Sequence, residues 1–382
     1  MNRQKIWANR ILLAVLTLQF AGCFLSQRLN GVAARFTSLM SFFALGVLCL
    51  AQADIAHRKM AFLKDKEVWI AGIGSAAALL NLFLIGSNKG AFLTAADVLL
   101  MLYASGFWKI RKADLLYASG LGSALLIWWY GNVKWDYNFN MVGMVYITIC
   151  VLGLVFLELL REKIWYAGAV QVLLYVTCVL FCMLYHARCA MMGLIVFGVL
   201  YLLADLVYRS KVLSALLVFG GTAGSLIFTL LYMLMGQLGL NIRILYKDVL
   251  SGRQDIWAEL WQAFLKQPLT GIGSSYELKS FFIFEVHNGL LDILAVHGIF
   301  VFACVAYLLC KRLWGFLSLG GNALDPTGEK PPVLSRNLNR IRLAGVFAIL
   351  FTSFFENFFI VSPYLLVVMI LIAPAEDEEK AS

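Results

Sequence analysis

The chain is short of what a soluble enzyme is built from. Only 14% of its 382 residues are charged, against about 25% in an ordinary soluble domain. No polar stretch is long enough to fold as a separate soluble domain. There is no GxxxxGK[ST] loop, so the usual phosphate cradle of nucleotide hydrolases is missing. The eight cysteines include no CxxC pair, and most lie in or beside apolar runs. Cys178 and Cys182 are one helical turn apart, a spacing that suits packing and not a metal or disulfide framework. No outward cluster of carboxylates resembles a metal site.

What is present is apolar. Hydrophobic residues make up 62% of the sequence and mean hydropathy is +0.82, where about 45–50% apolar is usual. The runs reach helix length, about 20 residues, and lack the alternation of barrel strands. They predict an all-α integral membrane protein with roughly twelve transmembrane helices. The expected spans are 11–26, 36–56, 68–86, 91–107, 114–131, 140–160, 164–184, 189–207, 212–235, 286–309, 343–356 and 359–374. The last two can also be read as one long tilted helix. Glu356 and Asn357 favour a turn there, because a carboxylate inside lipid is expensive. QFAGC (Gln19–Cys23) has the look of a lipoprotein cleavage box, but bulky Phe20 favours an uncleaved first span.

The net charge of +9 is spread unevenly. With Arg3, Lys5 and Arg10 inside, 21 of the 31 Lys and Arg fall on inner connections or tails. An excess of basic residues marks the cytoplasmic side, so both termini are expected to be cytoplasmic and nucleic acid is not a partner. One polytopic domain spans 1–382, with a long extracytoplasmic loop at 236–285 and a cytoplasmic loop at 310–342.

That long loop is the polar exception. In SGRQDIWAELWQAFLKQP, Ser251 and Gln254 form a capping-box pattern and Pro268 stops the helix. Ile256, Trp257, Leu260, Trp261, Phe264 and Leu265 share one face. An amphipathic helix lying on the outer membrane surface, its Trp residues at headgroup level, is expected. Arg253 falls in its first turn, where it either snorkels or uses its bidentate fork on phosphate. His287 and Asn288 open the tenth span, and an imidazole at that boundary can act as a general base or simply cap the helix. Asp292 and His297 read as hydrogen-bond partners inside the bundle. Arg188, with His186 beside it, opens the eighth span on the same side. Asn138 and Asn140, in WDYNFNMVG, also face that side and can hydrogen-bond a sugar.

At these residues the chain resembles the O-antigen ligase and O-antigen polymerase superfamily of bacterial membrane glycosyltransferases. The resemblance rests on Arg188 opening a mid-chain helix, S-G-R-x-x-I-W (Ser251–Trp257), P-L-x-G-I-G (Pro268–Gly273) and H-N-x-x-L (His287–Leu291), in the family's order. His186-Ala187-Arg188 departs from the family's common Ser-Arg. The resemblance implies a bacterial inner-membrane enzyme that transfers a glycan from undecaprenyl pyrophosphate to an acceptor hydroxyl without a metal. Arg188 and Arg253 would clamp the pyrophosphate and His287 would act as base or orient the acceptor. Asn138, Asn140, Asn288 and His186 would contact substrate. Its partners would be the lipid-linked oligosaccharide, an acceptor glycan, membrane lipids and a chain-length regulator protein. Polymerase is the expected activity. A ligase acting on lipid A-core or protein is the alternative, and a flippase of the same lipid-linked glycans is the outside one. No internal repeat supports a flippase.

Overall fold

The computed structural model describes residues 3–24, 27–52, 65–132, 139–240, 243–244, 247–248, 250, 252–279, 286–322 and 334–375. Among them lie thirteen helices: α1 (Arg3–Phe24), α2 (Gln27–Gln52), α3 (Lys66–Leu84), α4 (Lys89–Ala104), α5 (Lys112–Asn132), α6 (Phe139–Leu159), α7 (Ala167–Leu184), α8 (Arg188–Arg209), α9 (Lys211–Gln237), α10 (Arg253–Lys266), α11 (Gly289–Asn322), α12 (Arg336–Thr352) and α13 (Ser362–Ile372). Two short strands, β1 (Arg243–Ile244) and β2 (Lys247–Asp248), pair antiparallel between α9 and α10. Each of the twelve expected spans overlaps a helix, eight of them within three residues at both ends, and α10 is the expected loop helix. Six helices contain a stretch long and apolar enough to cross a membrane: α3, α6, α7, α8, α9 and α11. The fold is an all-α membrane protein.

Short polar side chains start several of these helices. Asp65, Asn88, Ser210 and Ser335 each accept a hydrogen bond from a backbone N–H of the first turn, satisfying donors that the helix itself leaves unpaired. Packing then sorts the helices. α12 and α13 are buried along nearly their whole length, and α6 is buried from Val142 to Val155. α12 packs against α6, α8, α9 and α13. α7 instead exposes Val172, Leu173, Val176 and Leu180, an apolar surface suited to lipid.

The last expected spans differ from the structure in an informative way. α12 and α13 are separate helices, which removes the single-helix reading, and a turn at 353–361 joins them with Glu356 in it. α11 runs on to Asn322 and α12 begins at Arg336, so the connection expected at 310–342 is mostly helix. α11 also breaks at Gly298, whose φ of 81° lies in the left-handed region.

The break at Gly298 receives the Pro268–Gly273 stretch. Ile272 and Gly273 donate backbone hydrogen bonds to the carbonyls of Ala295 and Val296, and Ile299 N–H donates to Pro268. Gly271 and Gly298 face each other so closely that a Cβ on Gly298 would sit 2.3 Å from the Leu269 oxygen. Asn81, near the end of α3, donates to the carbonyls of Thr270 and His297. Ser87 and Ser274 bond to each other's segment, and Ser275 donates to Gly86. The polar segment is thereby clasped to the bundle end formed by the α3–α4 turn and the start of α11, called the loop face below.

α10 is also drawn in. The expectation that its Trp residues sit at headgroup level is corrected for Trp257, which is fully buried and whose indole N–H donates to the Val286 carbonyl at 2.7 Å. Its ring packs against Tyr232 and Phe228 of α9. The apolar face of α10 meets protein because α9 offers it aromatic side chains. The expected capping box cannot be followed, since Ser251 lies outside the described residues; the residue before the helix is Gly252, in a left-handed conformation.

Candidate functional site

The loop face gathers residues that are far apart in sequence. Gly252 turns the chain so that Arg253, the first residue of α10, points into the bundle, where it is buried. There its Nη2 donates to Oε1 of Glu356, and its Nη1 lies 3.6 Å from the Cys189 sulfur. Burial works against the guanidinium's charge, but Cys189 and Glu356 more than offset it and raise its pKa above the ordinary arginine value. On the other side of the same carboxylate, His287 Nδ1 is 3.1 Å from Oε2. Cys189 also approaches Glu356 Oε1, at 3.9 Å. One carboxylate therefore joins α8, α10, the start of α11 and the turn after α12.

Each member is fixed from behind. Asn288 has no exposed surface; its Oδ1 accepts from Ser225 and from the Leu291 backbone, and its Nδ2 donates to Thr229. It caps α11 and anchors that helix to α9. Ser353 fixes the turn carrying Glu356: its carbonyl accepts from Gly289 N–H, and its hydroxyl accepts from Phe359 N–H. Two non-glycine residues among those described have positive φ, His186 at 54° and His287 at 53°. Such backbone costs about 1–3 kcal/mol and persists where the surroundings hold it in place.

The expected site residues fare differently. Arg253 and His287 meet on Glu356. Arg188 opens α8, half-buried, one residue before Cys189. His186 is exposed beside it. Asn288 is turned away into the bundle, so the expected sugar contact is replaced by a supporting role. Asn138 lies outside the described residues, and of Asn140, in the first turn of α6, only the backbone is described. His297 is buried, and it is its carbonyl that Asn81 meets. Two site members were not anticipated. Cys189 carries no distinguishing sequence signal. Glu356 does, since a carboxylate between two apolar runs needs a partner.

Sharing one anion between a guanidinium and an imidazole has a chemical consequence. A carboxylate can only accept hydrogen bonds, so a neutral imidazole here presents Nδ1–H to it and keeps the lone pair on Nε2. The arrangement offers a base nitrogen and an arginine fork at the same bundle end as Arg188.

Residues 173–306 match the family model described as O-Antigen ligase. The matched stretch runs from α7 into α11; it contains Arg188, Arg253 and His287 and ends before Glu356. No curated protein and no solved structure matches the chain. Over residues 173–306, about a third of its length, the chain is similar to the O-antigen ligase family, in line with the resemblance carried by Arg188, Arg253 and His287.

Proposed function

We propose that the protein is a polysaccharide polymerase. It moves a glycan from undecaprenyl pyrophosphate to a hydroxyl of another lipid-linked repeat unit, at the outer face of the bacterial inner membrane, with both termini cytoplasmic. The observation that carries the reading is the meeting of Arg253 and His287 on Glu356, at the bundle end where α8 begins with Arg188. In this reading His287 Nε2 takes the proton of the acceptor hydroxyl as its oxygen bonds to the anomeric carbon. The bond from that carbon to the pyrophosphate oxygen breaks, and its electron pair leaves with the pyrophosphate. Arg188 and Arg253 stabilise that charge, which grows as the bond breaks. The lipid tail lies along the apolar helices.

The alternative acceptor is lipid A-core, and the description of the matched family as O-Antigen ligase favours keeping it. One experiment separates the two. Purified protein receives labelled lipid-linked repeat unit extracted from a host lacking the gene, with either unlabelled repeat unit or lipid A-core as acceptor. A polymerase lengthens the lipid-linked chain and leaves the core unlabelled, whereas a ligase does the reverse. Failure to form product with either acceptor, under conditions that keep the chain folded, overturns the reading.

A further inference from the structure

Glu356 lies outside the matched stretch, yet it holds two of the three residues on which the proposed transfer depends. We infer that Glu356 is a positioning residue for that transfer, holding Arg253 in place and fixing which imidazole nitrogen of His287 meets the acceptor hydroxyl. The inference rests on the reading of His287 as the base.

Three features of the structure lead to this. The side chains of Arg253 and Glu356 are 11% and 7% exposed, and His287 is 20% exposed. The ion pair is therefore shielded, while the imidazole beside it can still be reached. Next, His287 sits on strained backbone, with the next residue, Asn288, anchored to Thr229 of α9 and with Glu356 fixing the imidazole. A strained base held on two sides is preorganised, with its Nε2 pointing away from the carboxylate. Last, the turn bearing Glu356 is bonded through Ser353 to Gly289, two residues from His287. Acid and base are thus held together by main chain as well as by side chains. When Nε2 accepts the hydroxyl proton, the resulting imidazolium stands against a carboxylate already in place, so its charge is met without rearrangement. A merely structural ion pair between Arg253 and Glu356 would need none of the contact to His287.

The test uses the limited hydrogen-bonding capacity of an amide. Glu356→Gln offers one acceptor and one donor where the site needs two acceptors. The charged Arg253 holds the oxygen more strongly, so the amide N–H turns toward Nδ1 and pushes the imidazole proton onto Nε2. Full-length protein in lipid nanodiscs is assayed with the lipid-linked repeat unit that accumulates in a host lacking the gene. Glu356→Gln is expected to lower kcat about 100-fold, with KM for the donor within about threefold. Glu356→Asp, which keeps two acceptors, recovers at least about tenfold of that loss. In a His287→Ala background, followed over hours with labelled donor, Glu356→Gln changes the residual rate less than about threefold, because the two residues act as a unit. Full activity of Glu356→Gln, equal loss in the Gln and Asp variants, or a full further loss in the His287→Ala background overturns the inference and leaves the proposed function standing. Full activity of His287→Ala overturns both.

Discussion

The two ends of the bundle both carry arginines bonded to carboxylates, and they use them differently. At the end opposite the loop face, Asp205 of α8 takes Arg336 and Arg340 of α12, and Glu67 of α3 takes Lys311 and Arg312 of α11. Two of these four cations are well exposed, Arg336 at 56% and Lys311 at 49%, while Arg312 at 12% is about as sheltered as Arg253. Asp205 and Glu67 each meet two basic groups that join helix ends, which suits a surface facing water or lipid headgroups. At the loop face one carboxylate meets one arginine and one histidine, the ion pair is buried, and the histidine backbone is strained. An ion pair is thus a weak sign of function by itself. Burial together with a titratable partner on strained backbone is a stronger one.

The largest effect expected from this contrast is at Arg253. Arg253→Ala leaves the buried Glu356 without its cation, and breaking such a pair typically costs about 3–5 kcal/mol. Turnover should fall at least about 100-fold, and the thermal transition of the purified protein should drop. Arg253→Lys keeps the charge and loses the fork, so it should retain the fold better than Ala yet remain strongly impaired. Normal polymer length in cells with both variants would reduce Arg253 to an anchor of α10.

Next comes His287→Ala, which removes a positioned base and should slow transfer by about 10²–10⁴-fold. The variant should reach the membrane in normal amount and cells should accumulate unpolymerised lipid-linked repeat units. A chelator should leave the unmodified protein's rate unchanged; chelator sensitivity would move the charge stabilisation from the arginines to a metal. A His287→Ala variant with full activity beside an inactive His186→Ala would place the base next to Arg188.

How much of this could be read beforehand depends on the kind of force involved. Apolar runs reported the helices faithfully, because lipid admits helices whose backbone groups are satisfied internally. The apolar face of α10 was legible too, but not what it faces: Trp257 suits a headgroup layer as well as the Tyr232 ring that it meets. Arg253 and His287 stood out because polar residues are scarce here. Glu356 was visible as a cost and used only to place a turn, since its partners lie 103 and 69 residues away. Such pairings are set by packing, which no local pattern encodes. The break at Gly298 was hidden because glycine is common inside membrane helices, and its partner loop lies more than twenty residues earlier.

That clasp supplies the intermediate effect. A methyl at Gly298 would meet backbone of Leu269 and Gly271, with no flexible side chain able to give way, and φ is positive there. Gly298→Ala should cost about 1–3 kcal/mol, read as a lower melting temperature and faster proteolysis between α10 and α11. Activity should fall less than in the Arg253 variants, because the contacts of Glu356 are made elsewhere. Loss of turnover with unchanged melting would mean that the clasp belongs to the site.

The smallest effect is expected at the opposite end, and it closes the comparison. Arg336 is more than half exposed and shares Asp205 with Arg340, which keeps two contacts to that carboxylate, one of them Nε to Oδ1 at 3.1 Å. Removing Arg336 leaves Asp205 paired, and an exposed ion pair is worth about 0–1 kcal/mol. Arg336→Ala should therefore melt close to the unmodified protein and keep its turnover within about twofold, with any difference shrinking as salt is added. The paired change Arg336→Ala with Arg340→Ala should be clearly worse than the sum of the two, because only then does the half-sheltered Asp205 lose both cations. If instead Arg336→Ala alone matches the damage of Arg253→Ala, burial is not what separates Arg253 from Arg336, and the case for the loop face rests on His287 alone.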